Sequence, residues 1–155
     1  MDHTAVNQHY LHVRANGSVN VLPLVLDLTN RSPAIGWANE ERASLEGRAC
    51  FDCVTALAMI RHLAISNNLI LEKVAEYFSR LGKHLIIEFV PKTDSQVKKL
   101  LLNREDFLEN HTESGFESVF ARYFELIEKE PITSSARLLH LYGTKKTNQA
   151  KYVHD

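Results

Sequence analysis

The longest continuous apolar pattern in the chain lies at residues 51–65, FDCVTALAMIRHLAI. Val54, Leu57, Met59, Ile60 and Leu63 follow one another too closely for a strand with one wet face. The segment therefore predicts a buried strand at residues 53–58 running straight into a helical turn at 59–62. Such a strand belongs at the centre of a parallel sheet, with Asp52 at its entrance and Arg61 and His62 just past its carboxyl end. Residues 84–90, HLIIEFV, form a second apolar strand stopped by Pro91. Between the two, residues 69–81 carry Leu71, Val74, Ala75, Phe78 and Leu81 on one helical face. Glu72, Lys73, Glu76 and Arg80 occupy the other, and Gly82 is placed to end the helix.

The flanks extend this alternation. Residues 2–15 read as a helix with a stop at Asn16-Gly17, and residues 20–28, carrying VLPLVLDL, read as a strand at or near an edge because Pro23 lacks an N–H. Residues 29–45, rich in Asn, Ser, Pro and Gly, predict a long loop with a short helix, and Trp37 within it favours a packed loop. Downstream, Asp94 or Ser95 caps a helix through Leu102. Thr112 caps another that carries Phe116, Val119, Phe120 and Phe124. Residues 125–130 and 137–142 read as strands joined by a turn short enough for an antiparallel pair. The residues from 144 to 155 are polar and predict a frayed tail beyond a domain at 1–143.

Composition narrows the class. The 155 residues suffice for one domain able to bury roughly 70% of its unfolded surface. A formal net charge of -1 argues against nucleic acid or an anionic membrane as a partner held by bulk charge. No apolar run has the length of a membrane span, and residues 1–20 lack the apolar core of a signal peptide. Two cysteines, Cys50 and Cys53, fit a reducing, cytoplasmic setting. A single C-x-x-C entering a strand lacks the second pair of a zinc site and the helix start of a redox motif. His3, His9 and His12 share the first helix, too few ligands for zinc.

Two side chains stand out chemically. His62 titrates near neutrality and follows the strand at the end where open α/β sheets bind ligands, so it is a candidate acid–base group. The alternative is a packed histidine bonded to a backbone carbonyl. Glu88 interrupts a buried strand, and a carboxylate there needs a partner or a site. Arg61, His62 and His84 are candidate partners, and a substrate cleft is the other reading.

Four segments, LPLVLDLTNRSPAIGW, DCVTALAMIRHLAISNN, LIIEFVPKTDSQVKKLL and the F-E-x-x-F-x-R-Y-F run at residues 116–124, carry a resemblance. Together they resemble a bacterial family of class I S-adenosylmethionine-dependent methyltransferases with nodulation-related members. The D-L-x-N-x-S-P-A-x-G-W run at residues 27–37 is the most specific element. The resemblance implies an α/β, Rossmann-like sheet, mostly parallel with a terminal antiparallel pair, and methyl transfer to an oxygen or nitrogen acceptor. It also implies that Asp27 accepts from the adenine amino group, with the Leu28 N–H beside it, against the plainer reading of Asp27 as a turn cap. Ala56 and Leu57 would line the methionine side, and Asp2 falls beside the ribose position.

The six glycines form no G-x-G, and the chain starts where the family's second strand has just finished. The resemblance thus implies a sheet truncated at its amino-terminal side and half a cofactor site. The competing class is a degenerate, non-catalytic binding module. In the family's strand order the missing strands would lie between residues 21–27 and 53–58. A separately encoded amino-terminal segment or self-association at one of those edges is the expectation.

Overall fold

The computed structural model describes residues 2–48, 51–60, 62–63, 69–101 and 112–145. The chain divides into two compact units, Met1–Pro33 and Ala34–Asp155, each considered by itself.

In the first unit, helix α1 spans His3–Ala15. Asp2 is its N-cap, its Oδ1 accepting from the Ala5 N–H at 2.9 Å. The predicted stop is present. Ser18 N–H donates to the Val13 carbonyl at 3.1 Å and Gly17 N–H to that of Arg14 at 3.2 Å. Gly17 supplies the left-handed φ of +61° that this paired cap requires. Residues 21–27 form no strand, contrary to the sequence pattern. An apolar run becomes a strand only where a neighbouring strand accepts its amides, and among the described residues none is paired to it. Leu22, Leu24, Val25 and Leu26 are accordingly exposed.

The second unit opens with a bridge in which Ile35 and Arg42 exchange both backbone bonds, at 3.0 and 3.1 Å. It encloses a 3-10 turn at Trp37–Asn39, and the short helix α2 follows at Leu45–Arg48. Trp37 is 86% exposed, so the expected packing of this loop about its indole is not found. The bridge and the Glu41 carboxylate, which accepts from the Trp37 N–H at 3.1 Å, hold the loop by polar bonds instead.

Strand β1 (Phe51–Ala56) is followed in chain order by α3 (Leu71–Ser79), β2 (Gly82–Phe89), α4 (Ser95–Leu101), α5 (Glu113–Phe120) and the hairpin of β3 (Phe124–Pro131) and β4 (Leu138–Thr144). The sheet order is β1-β2-β4-β3, with β1 parallel to β2 and the other two pairings antiparallel. This is an α/β, Rossmann-like mixed sheet with an antiparallel terminal pair. Two element ends differ from the sequence reading at named residues. Gly82 begins β2 rather than ending α3, because a Cβ there would sit 2.8 Å from the Phe51 carbonyl oxygen. Phe124 opens β3 rather than extending α5. β1 is an edge strand among the described residues, and Phe51, Asp52, Cys53 and Thr55 are exposed. The expectation of a central strand covered on both faces is overturned. Its apolar run continues past the strand, where Ile60 and Leu63 are buried in the following turn.

One face of the sheet carries the core. The register places Val54 and Ala56, Leu85 and Ile87, and His140 and Tyr142 on that side. Phe116 and Phe120 of α5 stack on each other at 4.3 Å and lie against Phe89, His140, Phe124 and Tyr142. Helix α3 packs against α5 and β2 through its buried Val74, Ala75 and Phe78.

His140 is fully buried in this aromatic cluster, with Nε2 3.2 Å from Glu117 Oε1. Lys129 donates to Glu117 at 2.8 Å and to Glu113 at 2.6 Å. The Lys129 bonds, more than the imidazole, hold the Glu117 carboxyl below its ordinary range, against burial. Burial pushes the His140 pKa below its ordinary value of about 6.5, outweighing the bond to Glu117. The folded pKa thus lies below the unfolded one. The neutral ring stabilises the fold above about pH 6.5, and that stability is lost as pH falls toward the folded value. Urea unfolding at about pH 7.5 and 5.5 checks this: wild type should lose stability on acidification, and His140→Gln should lose less of it.

Candidate functional site at the carboxyl end of β1 and β2

In a parallel pair both carboxyl ends lie on one side, and the connections leaving them build that end of the sheet. β1 ends at Ala56, which pairs with Ile87 and is 2% exposed. Leu57 follows at 55% exposure, and Ala58 takes a left-handed φ of +52° that turns the chain toward the helical residues Met59 and Ile60. A non-glycine residue in that region needs external support. Glu88 supplies it: the Ala58 N–H donates to Glu88 Oε2 at 2.5 Å.

The other oxygen of Glu88 accepts from Arg137 Nη1 at 3.0 Å, and Arg137 Nε donates to Asp94 Oδ2 at 2.8 Å. Asp94 in turn caps α4, its Oδ1 accepting from the N–H groups of Gln96 at 2.9 Å and Val97 at 3.4 Å. Burial works against the Asp94 charge, yet the Arg137 guanidinium and the two backbone donors together hold its carboxyl below the usual range. Arg137 is held protonated above its ordinary value by Asp94 first and Glu88 second. One chain of bonds therefore ties the end of β1, the interior of β2, the start of α4 and the base of the β3–β4 hairpin.

The sequence pointed to Glu88 as a buried carboxylate requiring a partner, and it has two. Neither the Ala58 amide nor Arg137 was among the candidates. His84 instead lies with Nδ1 3.1 Å from the Asp52 carbonyl oxygen, and Arg61 lies outside the described residues. A signal for Arg137 did exist in the hairpin. The register Glu88↔Leu139 puts Arg137, two residues from Leu139, on the same face and diagonal to Glu88. That register is a property of the paired sheet, absent from the linear pattern.

His62 is exposed in the turn after β1. Asp2, Asp27 and Leu28 belong to the first unit. Asp2 is the cap of α1 described above. Asp27 Oδ1 accepts from both the N–H of Thr29 at 2.9 Å and its hydroxyl at 2.7 Å. The Thr29 hydroxyl, then its amide, lowers the Asp27 carboxyl below the ordinary range. Both bonds fall on Oδ1, the turn-capping geometry of an aspartate, while Oδ2 is left to accept from another donor. The Leu28 carbonyl accepts from Arg31 at 3.2 Å. Cys53 is free and exposed, and Cys50 lies outside the described residues.

This end of the sheet has relatives. The chain is 38% identical over 125 residues to Nodulation protein NoeA of Rhizobium meliloti (strain 1021). That match covers 81% of this chain and 26% of NoeA, so the chain spans about a quarter of that relative's length. The crystal structure of PH0226 protein from Pyrococcus horikoshii OT3 superposes with a TM-score of 0.60 over 93% of this chain and 68% of that one. At 16% identity it establishes the shared fold. No family model matches the sequence. Among the described residues no helix is long and apolar enough to cross a membrane, and no group of three or more His, Cys, Asp or Glu could hold a metal.

Arg137→Leu should leave the Glu88 carboxylate, 6% exposed, without its cation. The expected loss is at the lower end of about 3–5 kcal/mol, because the arginine itself is partly solvated. Arg137→Leu combined with Glu88→Gln should recover part of it. Denaturant midpoints of the two variants against wild type measure the difference, and equal losses would remove the ion pair from the account.

Proposed function

We propose that this chain is a methyltransferase-like protein of the S-adenosylmethionine-dependent class whose 155 residues furnish only part of the cofactor site. The observation that carries this reading is the built end of the parallel pair. Ala56, Leu57 and the turn at Ala58 leave β1 there in a conformation that Glu88 holds in place. Open α/β sheets bind their ligands at such ends. The similarity to NoeA and the shared sheet support the same reading, and we extend NoeA's nodulation context to this chain as part of it.

The residues present fit the cofactor in part. In the second unit, Leu57 offers an exposed apolar surface to a thioether side chain. The methionine carboxylate and sulfonium need close backbone approach, which a glycine-rich loop provides, and the sequence holds no G-x-G. When bound, the cofactor supplies an electrophilic methyl group. The protein's part in such transfer is mainly alignment. His62, exposed after β1, would take a proton from an oxygen or nitrogen acceptor on a small molecule. Glu88 spends both oxygens within the fold and serves to position the turn. A cytoplasmic location and the absence of a nucleic-acid partner belong to this proposal, in line with the near-neutral charge.

A second reading, a non-catalytic binding module, draws on the same carboxylates. Asp2 and Glu88, and one oxygen of Asp27, are already occupied by donors from the chain itself.

Titration calorimetry with S-adenosylmethionine tests the proposal. The isolated chain should give no heat, or binding weaker than about millimolar, equivalent to roughly -4 kcal/mol. Micromolar binding lost in Asp27→Ala would overturn the partial-site reading in favour of a complete enzyme.

A further inference from the structure

The two edges of the sheet are built differently. β3 carries Glu125, Glu128, Lys129, Glu130 and Pro131, and its pairing with β4 shifts register between Leu126 and Glu128. Charges, a bulge and a proline are what keeps an edge from pairing further. β1 reads Phe-Asp-Cys-Val-Thr-Ala and pairs with β2 without a shift in register. It holds no lysine or proline, and its one charge, Asp52, is bonded by Lys83 at 2.8 Å. Phe51 and Leu57 at its two ends are 43% and 55% exposed. One edge of this sheet is guarded against pairing, and the other is not.

The backbone of β1 fixes what can pair with it. Phe51 N–H donates to the Leu81 carbonyl at 3.1 Å, toward the β2 side. Alternation along the strand then turns the N–H and C=O of Asp52, Val54 and Ala56 outward. We propose that β1 pairs antiparallel with β1 of a second copy of this chain, about a two-fold axis through Val54. Val54 then lies opposite its own counterpart, and Asp52 lies opposite Ala56 of the other copy. The N–H groups of Asp52, Val54 and Ala56 then donate across the seam, and the Asp52 carbonyl oxygen, which already lies 3.1 Å from His84 Nδ1, accepts on its second lone pair.

Cys53 faces Thr55, and Phe51 faces Leu57, so the two exposed apolar side chains at the ends of the strand cover each other twice. No like charges meet in this register. A parallel arrangement would set Asp52 against Asp52. A slip of one residue would set each outward residue opposite one whose N–H and C=O are turned to its own β2, and the ladder bonds would be lost. A slip of two, centred on Cys53, leaves Leu57 beyond the strand and Phe51 against Thr55. The pairing rests on β1 being an edge strand among the described residues. A strand pair with two apolar contacts is a small interface, so the dimer should be weak.

Sedimentation velocity of the full chain over about 1–100 μM should show reversible conversion from monomer to dimer. Thr55→Lys, at an exposed position, and Val54→Pro, which removes an outward N–H and spares the bonds to β2, should both remain monomeric across that range. Circular dichroism and cooperative unfolding verify that each variant is folded, and Thr55→Lys alone suffices if Val54→Pro is not. Register is read by oxidation. A Cys50→Ser chain retaining Cys53 is mixed with a Cys50→Ser, Cys53→Ser, Thr55→Cys chain, and the mixed disulfide should form ahead of either homodimer. A wild-type chain that stays monomeric overturns the proposal. So does association that survives both edge variants, which would put the contact elsewhere, such as the exposed apolar residues 21–26. Preferential Cys53–Cys53 bonding would overturn the register.

Discussion

The carboxylate of Glu88 is the constraint on which the second unit's ligand end depends. It is 5% exposed in a strand whose neighbours are Ile87 and Phe89, where an unpaired charge would cost far more than one strand's packing returns. Its two oxygens are therefore committed, one to a backbone amide in a left-handed turn and one to a guanidinium. Each commitment fixes a different connection. The amide bond holds the exit of β1, and the guanidinium reaches on to Asp94 and so to the start of α4. The charge of Glu88 acts as a positioning device.

The covered face of the sheet works by a different principle. Phe89, Phe116, Phe120, Phe124 and Tyr142 supply large rigid areas at offset ring distances of 4.3–5.9 Å. His140 among them has a buried Nδ1 with no hydrogen-bond partner, and the Tyr142 hydroxyl is in the same position. Burial raises the Tyr142 pKa above its ordinary value, as it lowers that of His140. Both groups are thus kept neutral by the same desolvation, which makes the cluster a core held at near-neutral and higher pH. The ion pairs of Lys129 with Glu113 and Glu117 lie at its rim, more exposed to water, where such contacts contribute little to stability.

The linear pattern determined most of the elements. The amphipathic period of α3, the caps at Asp94 and Thr112, the Gly17 stop, and the hairpin at the end of the chain all follow from local chemistry, which is why they were legible. Buried Glu88 was legible as a problem to be solved, since few residue types in an apolar strand demand a partner so strongly. The α/β class followed from the alternation of these elements and from the resemblance carried by residues 27–37.

The tertiary structure alone decided the rest. Apolar character predicts burial but not what provides it. Residues 21–27 and β1 are apolar runs of similar quality, yet one lacks a strand partner and the other sits at an edge. Likewise Trp37 is large and apolar but 86% exposed, because two backbone bonds between Ile35 and Arg42 close its loop without the indole. The partner of Glu88 came from a residue 49 positions away, brought onto the same face by antiparallel register. Helix caps and periodicities are set by neighbours within a few residues, so the sequence contains them. Pairing partners, edges and ion pairs across strands are set by which segments meet, and only the folded sheet determines that.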